Sequence, residues 1–467
     1  MSSSIRRRDV LRSMFGLAAA AATAQIVAAC GQQASPAAPA KTDGGAVKPA
    51  ADAKPAADAK PTTAAAPAAA GKTAAAELVY LNQSRGQLKA MEALAERYNG
   101  QQTGAKVTID SPGPIDYPKK LQASSQAGNM PDAYYAIGQA DMAPYYKAGW
   151  ALDLKPEMDK GWIKNFSPGI LDFQEFRDGN SLAVKPGIYA APWEVNTYGM
   201  IYNPALFEKG GLDPKALPTT TSEWLAGLNK LKAANIGTFA MAFDFIPRFT
   251  QTYATSWLKD EEIDATLAGK SSYKADGWRK SLQLFMDMRD AGVVFNNTLN
   301  ATNPDLEKSF FNVQELAMFW TGVFSVPVQV TTAPQFTAYA GFALPKGEGA
   351  TLEPRTYGGT GKNGVVNAKG KQVDESLKYV KWLTEKEQEE TFMEMVPLIP
   401  TNPAALDPTK ISPQLAMFAS LADKIQKVYS PMTAPVNEAF IKGVQSMLLK
   451  EKTIDQVLDD ADLAQKG

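Results

Sequence analysis

The 467-residue chain contains no histidine, and its single cysteine, Cys30, lies near the N-terminus. A folded domain without either residue cannot build a Ser-His-Asp or Cys-His nucleophile, a His-ligated metal site, a zinc knuckle or a redox dithiol. No metal site and no cofactor are therefore expected. Carboxylate-only chemistry such as glycoside hydrolysis stays open, as does Lys- or Tyr-based catalysis. An excess of charge of one sign is also missing. With 48 basic and 49 acidic residues the net charge is −1, which gives no field to draw in nucleic acid or an anionic membrane surface. Without disulfides, the folded part must be held by its hydrophobic core, and from Glu77 to Gly467 it is long enough for two or more domains.

What is present begins with Arg6-Arg7-Arg8-Asp9-Val10-Leu11-Arg12 and an Ala-rich apolar run ending at Val27-Ala28-Ala29-Cys30. Basic residues, a short apolar run broken by Thr23 and Gln25, and small residues before a cysteine together form an export signal, too short for a comfortable membrane span. The Arg7-Arg8 segment resembles the twin-arginine (Tat) pattern, and Val27 to Cys30 resembles the lipobox of bacterial lipoproteins. Residues 1–29 are thus expected to be a signal peptide, and Cys30 the lipidated N-terminus of the mature protein. An uncleaved anchor is the alternative. Two acyl chains, at about 0.8 kcal/mol per buried methylene, hold a protein stably on a bilayer where one does not.

Residues 30–76 comprise this cysteine and a tether. After it the chain is almost wholly Ala, Pro, Lys, Asp, Thr and Gly, with KPAADA at Lys48 and again at Lys54. Such a composition buries too little apolar surface to offset ordering, and its repeated prolines interrupt any helix. From Glu77 the pattern changes. Leu78 to Leu81 reads as a strand buried on both faces. Leu88, Met91, Leu94, Ala95 and Tyr98 recur at helical spacing before Asn99-Gly100. Lys106 to Asp110 and Ala133 to Ile137 read as strands flanking a helix near Tyr117 to Ala127. This alternation predicts an α/β protein built of βαβ units with largely parallel sheet. Capping boxes are predicted at Thr220/Glu223, Thr384/Glu387 and Thr453/Gln456.

Five stretches in order carry a resemblance. They are Leu78 to Tyr98; Asp116 to Asp132 with Tyr145, Ala148-Gly149-Trp150 and Leu152-Asp153-Leu154; Gly187 to Leu212 followed by Pro218, Thr219 and Trp224; Glu315 to Gly322; and Gly358-Gly359 through Gly364-Val365 to Trp382-Leu383-Thr384. Together they resemble the family 1 extracellular solute-binding proteins of ABC importers, which include maltose-binding protein. The resemblance implies a two-lobe periplasmic-binding-protein-like fold of type II, with a hinge and an interlobe ligand cleft. It places lobe 1 at residues 77–196 and 344–395, and lobe 2 at 197–343 and 396–467. Crevices at strand carboxyl ends suit such a cleft.

The candidate ligand contacts follow. Gln83, Ser84 and Arg85 come after the first strand, although Ser84 also fits as a plain helix cap. Gly138, Gln139 and Asp141 come after the third, where a simple turn is the other reading. Trp193, Glu194, Asn196 and Tyr198 lie in the crossover between lobes, and Tyr198 equally suits the hinge. In lobe 2, Asp244, Phe245 and Arg248 follow an apolar run from Phe239 to Phe243, and the two charges can instead balance each other. Trp320 and Phe324 flank Gly322; the resemblance aligns Phe324 with a sugar-stacking aromatic, whereas core packing is the general alternative. Gly358, Gly359 and Thr360 allow close backbone approach, and Tyr429 precedes the last helices as a lobe-2 closure residue.

Aromatic faces with carboxylate, amide and guanidinium partners suit sugars. The expected function is therefore capture of a mono- or oligosaccharide by a monomeric lipoprotein. It would sit on the outer face of the cytoplasmic membrane, anchored through lipid on Cys30, and deliver its ligand to ABC permease subunits without catalysis. The alternatives are a secreted glycosidase using Glu194 and Asp244, a sensor without transport, and a binding protein for a non-sugar solute.

Overall fold

Alternation in Leu78-Val79-Tyr80-Leu81 already sets the first strand. Leu78, Tyr80 and Leu81 are buried, while Val79 is 38% exposed, so the strand begins with one face open instead of being covered on both. The computed structural model describes residues 75–83, 86–101, 104–294 and 300–466, all within one compact unit, Lys72–Gly467. The signal peptide, Cys30 and nearly all of the tether lie outside the described residues. Within them, no helix is long and apolar enough to cross a membrane.

Among the described residues, twelve strands occur in chain order. They are β1 (Ala76–Leu81), β2 (Ala105–Asp110), β3 (Ala133–Tyr135), β4 (Glu175–Phe176), β5 (Gly187–Ile188), β6 (Ala191–Pro192) and β7 (Val195–Tyr202), then β8 (Gly237–Met241), β9 (Leu316–Gly322), β10 (Ala340–Phe342), β11 (Gly358–Thr360) and β12 (Asn363–Val366). β4 and β5 form a two-stranded sheet of their own. Of the two larger sheets, one has the order β2-β1-β3-β12-β6 and the other β10-β7-β9-β8, with β11 also paired to β7. These sheets are the centres of two lobes.

The predicted parallel pairing holds for β1 with β2 and β3 and for β8 with β9. Strands β12, β7, β10 and β11 pair antiparallel. The difference arises where the chain crosses between lobes: β7 and β12 do not follow a packed crossover helix within one sheet, so nothing forces them parallel.

β7 is the mechanical link. Its residues 195–197 pair with β11, as in Asn196 with Gly359, and residues 198–202 pair with β9, as in Tyr198 with Gly322. The pairing is tight. A Cβ on Gly358 would lie 2.5 Å from the Asn196 carbonyl, which explains glycine there.

Two segments sit on the opposite lobe from the one the resemblance assigns. Residues 344–357 lie on lobe 2. There Lys346 N–H donates to the Thr219 carbonyl (2.9 Å), Arg355 N–H to Thr255 Oγ1 (2.9 Å), and Thr356 N–H to the Lys424 carbonyl (2.8 Å). Residues 396–402 turn back to lobe 1, where Val195 N–H donates to the Ile399 carbonyl (2.7 Å) and Ser167 N–H to the Thr401 carbonyl (2.7 Å). Backbone hydrogen bonds decide both placements, because these segments carry no helix or strand of their own to read from sequence.

Capping boxes form at Thr220/Glu223 and at Thr453/Gln456. The one predicted at Thr384 does not. Thr384 Oγ1 accepts from Trp162 Nε1 (2.8 Å) and donates to the Lys381 carbonyl (2.8 Å), so it ends the preceding helix, Val373–Leu383, instead of starting the next.

The 399–402 turn is held by a buried carboxyl. Glu389, 1% exposed, accepts from Asn402 N–H (2.8 Å), and Thr401 Oγ1 lies 2.9 Å from both Glu389 Oε1 and the Pro192 carbonyl. Thr401 has one proton and cannot donate to both. The pattern closes if Glu389 is protonated and donates to Thr401 Oγ1. Burial pushes the Glu389 pKa well above the ordinary carboxylate value, against its hydrogen bonds with Asn402 and Thr401. An amide repeats this donor and acceptor arrangement, so Glu389→Gln is expected to match the native stability within about 1 kcal/mol near pH 4, where the carboxyl is protonated folded or unfolded. As pH rises through the ordinary carboxylate range, the unfolded chain gives up this proton and the folded protein keeps it. Native stability then falls by about 1.4 kcal/mol per pH unit until the raised pKa is passed, and the variant lacks this loss. Urea unfolding from pH 4 to 8 checks it, and parallel curves for the two proteins would refute it.

Candidate functional site

The cleft forms where strand ends and connecting loops of both lobes converge. From lobe 1 come Ile137, Gly138 and Gln139, at the carboxyl end of β3 and the start of the helix Gln139–Lys147, together with Phe173 and Gln174. From the crossing segments come Asn196, Tyr357, Gly358, Gly359 and Thr360. From lobe 2 come Gln251 on the helix Ile246–Ala254 and the stretch Gln426, Val428 to Met432. They line a half-open cavity of ≈170 Å³.

Its polar lining is neutral amide. Gln139 Nε2 donates to the Phe173 carbonyl (2.8 Å), Gln174 Nε2 to Thr360 Oγ1 and Asn363 Oδ1, and Gln251 Nε2 to Gln426 Oε1 (2.8 Å). These bonds fix the amides as donors toward protein. Two buried atoms of the lining have no protein partner, Asn196 Oδ1 and Gln426 Nε2, an acceptor and a donor. Such groups carry a desolvation cost of about 1–3 kcal/mol each until something pairs them. Aromatic surface comes from Phe173, Tyr357 and Tyr429.

Charge stays at the margin. The Arg248 guanidinium lies 5.2 Å from the Phe245 ring centre and 5.9 Å from that of Tyr357, and Arg248 Nη1 donates to the Asp244 carbonyl (3.1 Å). Burial raises the pKa of both Asp141, on lobe 1, and Asp244, on lobe 2, while Arg248 opposes each shift. Arg248 thus couples electrostatically to a carboxylate on either lobe. Behind Tyr357 lies an aromatic cluster in which Tyr198 contacts Trp320 (4.9 Å), Tyr357 (5.4 Å), Phe245 (5.5 Å) and Phe324 (5.7 Å). Burial pushes the Tyr198 hydroxyl up to about 12, with Arg248 opposing.

Of the residues singled out from sequence, Gly138, Gln139, Asn196, Gly358, Gly359, Thr360 and Tyr429 meet in this lining. Asp141, Asp244 and Arg248 lie outside it, as does half-buried Gln83; Ser84 and Arg85 lie outside the described residues. Four aromatics and one carboxylate turn inward instead. Trp193 packs on Tyr80 (6.2 Å) and under Gly364 in the lobe-1 core. Trp320, 1% exposed, is enclosed by Tyr198, Phe245 and Phe249 and presents no face for stacking. Tyr198 and Phe245 are buried in the same cluster, and Phe324 lies against it, outside the lining.

Glu194, also 1% exposed, pairs with Lys362 Nζ at 2.8 Å. Burial works against the Lys362 charge, but Glu194 and Tyr135 outweigh it and raise its pKa. Glu194 and Asp244 therefore share no cavity, and the carboxylate pair that a glycosidase needs is not assembled from them. The lining residues that sequence reasoning missed are Ile137, Phe173, Gln174, Gln251, Tyr357, Gln426, Val428 and Ser430 to Met432. Those with a signal beside them are Ile137, next to Gly138, Tyr357, next to Gly358-Gly359, and Val428 and Ser430, on either side of Tyr429.

Residues 82–390 match the family described as bacterial extracellular solute-binding protein. The chain belongs to that family. Solved structures similar to this solute-binding protein include one from Thermotoga lettingae bound with alpha-D-tagatose, with TM-score 0.70 and 18% identity over 84% of this chain and 99% of that one. A maltose-bound protein from T. maritima has TM-score 0.69, with 18% identity and 84% and 99% coverage. A chitin oligosaccharide binding protein gives 0.70, with 18% identity and again 84% and 99%. At such identities the likeness is one of fold, and it establishes the two-lobe architecture. No curated protein sequence matches this one significantly. Membership of an extracellular family places the work of this solute-binding protein outside the cytoplasm.

Proposed function

We propose that this solute-binding protein captures a neutral carbohydrate in the interlobe cleft and delivers it to the permease of an ABC importer, anchored to the membrane through lipid on Cys30. The carrying observation is the lining: neutral amides around an unpaired buried acceptor, Asn196 Oδ1, and an unpaired buried donor, Gln426 Nε2. A sugar hydroxyl both donates and accepts, so hydroxyls of one small molecule can answer both groups. The aromatic surfaces of Phe173, Tyr357 and Tyr429 suit the C–H faces of a pyranose. No Lys, Arg, Asp or Glu stands in the lining, which disfavours an ionic ligand, since buried charge requires a partner. Tagatose, maltose and chitin oligosaccharide in similarly folded proteins point the same way.

A thermal-shift panel of neutral mono- and oligosaccharides, acidic sugars, amino acids and polyamines tests this. A ligand at 100 times its dissociation constant stabilises the folded state by about 2.7 kcal/mol. A rise in melting temperature confined to neutral sugars is expected. A rise only with an amino acid or polyamine would assign the cleft to another solute.

A further inference from the structure

The same cleft has a wall built across the lobes. Tyr429 belongs to lobe 2, where its N–H and that of Ser430 both donate to Asp264 Oδ1, at 2.8 and 2.7 Å, and Lys427 N–H donates to Asp260 Oδ2 at 2.8 Å. Its ring reaches over to lobe 1. There it meets Phe173 (5.5 Å between ring centres), and the Arg177 guanidinium lies 4.5 Å from the ring centre. Arg177 is itself held by Asp172 (3.3 Å) and Glu175 (3.2 Å). Tyr429 and Phe173 line the cavity and Arg177 does not, so the tyrosine ring separates the cavity from the guanidinium behind it. The backbone bonds to Asp264 and Asp260 hold this stretch of chain in place, so the ring yields only by rotating about its own side-chain bonds, away from Phe173 and Arg177. The volume of this half-open cleft, ≈170 Å³, is also below the range of about 300–1,000 Å³ common for pockets that bury larger ligands.

We infer that Tyr429, backed by Arg177 and abutting Phe173, is a specificity-determining end wall that restricts the ligand to one or two sugar rings. The inference rests on the proposed carbohydrate function and narrows it. A longer chain must displace the ring, losing its contacts with Phe173 and Arg177 and keeping the lobes apart at that point. The wall therefore discriminates by length instead of by sugar type.

The test is calorimetric titration of the native protein, Tyr429→Ala, Tyr429→Phe and Arg177→Ala with a homologous series of neutral saccharides from one to five rings. The native protein is expected to bind the one- or two-ring member at least about tenfold more tightly than the three- to five-ring members. Tyr429→Ala removes most of that ratio, whereas Tyr429→Phe keeps it. Arg177→Ala, at an exposed residue whose loss leaves the core intact, lowers the ratio about two- to fivefold, as expected for an exposed cation–π contact. Native preference for three or more rings overturns the inference alone, as does an unchanged ratio in both Tyr429→Ala and Arg177→Ala. No binding of any sugar by the native protein overturns the carbohydrate reading and the wall together.

Discussion

Replacing Lys362 with methionine is expected to lower the unfolding free energy at pH 7 by about 3–5 kcal/mol, the usual cost of leaving a buried charge without its partner. Glu194 is 1% and Lys362 9% exposed, and their 2.8 Å contact lies where the backbone of lobe 1 meets the crossing strands. Backbone bonds lock the pair on both sides: Trp193 N–H donates to the Lys362 carbonyl (2.9 Å) and Gly361 N–H to the Glu194 carbonyl (2.7 Å). There is no room for the carboxylate to swing away, since a Cβ on Gly361 would already lie 2.7 Å from Glu194 Oε2. The double variant Glu194→Met/Lys362→Met, which buries no charge, is expected to recover most of the loss. Urea midpoints at pH 7 measure all three proteins. A change under 1 kcal/mol in Lys362→Met would mean that Glu194 reaches water.

Asn196→Leu is expected to weaken binding of the best sugar from the thermal-shift panel by about ten- to a hundredfold, since a ligand hydroxyl loses its buried acceptor. Asn196 is the more informative of the two unpaired groups. Gln426 also accepts from Gln251 Nε2, so its removal disturbs lobe 2 as well as the ligand. Asn196 Oδ1 is unpaired, and the structural role of this side chain is confined to a hydrogen bond with the Tyr198 hydroxyl. The β7 pairing with β11 runs through backbone and survives the change, while loss of the side-chain hydrogen bond with Tyr198 is expected to cost about 1 kcal/mol of stability. Calorimetric affinity read beside the urea midpoint separates the two effects. An affinity unchanged within twofold would remove Asn196 from the site.

The scaffold was legible because its signals are periodic. Leu88, Met91, Leu94 and Ala95 repeat along a helix face, and Val107 and Ile109 alternate along a strand. The site was legible only where backbone geometry demands particular residues, as at Gly358-Gly359, or where a residue follows a strand end, as at Gly138-Gln139. The glutamines were not. Gln174, Gln251 and Gln426 come from three unrelated segments, and nothing around an isolated glutamine says that folding will bring it beside others. Trp193, Glu194 and Trp320 show the opposite failure. An aromatic or a carboxylate in an apolar stretch looks the same in sequence whether it faces a cleft or a core, and pairing with Lys362 or packing on Tyr80 decides the matter only in three dimensions.

Because β7 gives its first three residues to one partner and the remainder to another, neither half of this protein is self-sufficient. A truncation after Tyr202 strands a hydrophobic ribbon whose mates, β9 and β10, are encoded downstream, and a fragment starting beyond it presents those mates with no central neighbour. During synthesis the N-terminal half must therefore wait for about a hundred further residues before its last strand finds cover, an interval in which an exposed edge invites pairing with other chains. Shielding by a chaperone until the chain is complete would remove that hazard.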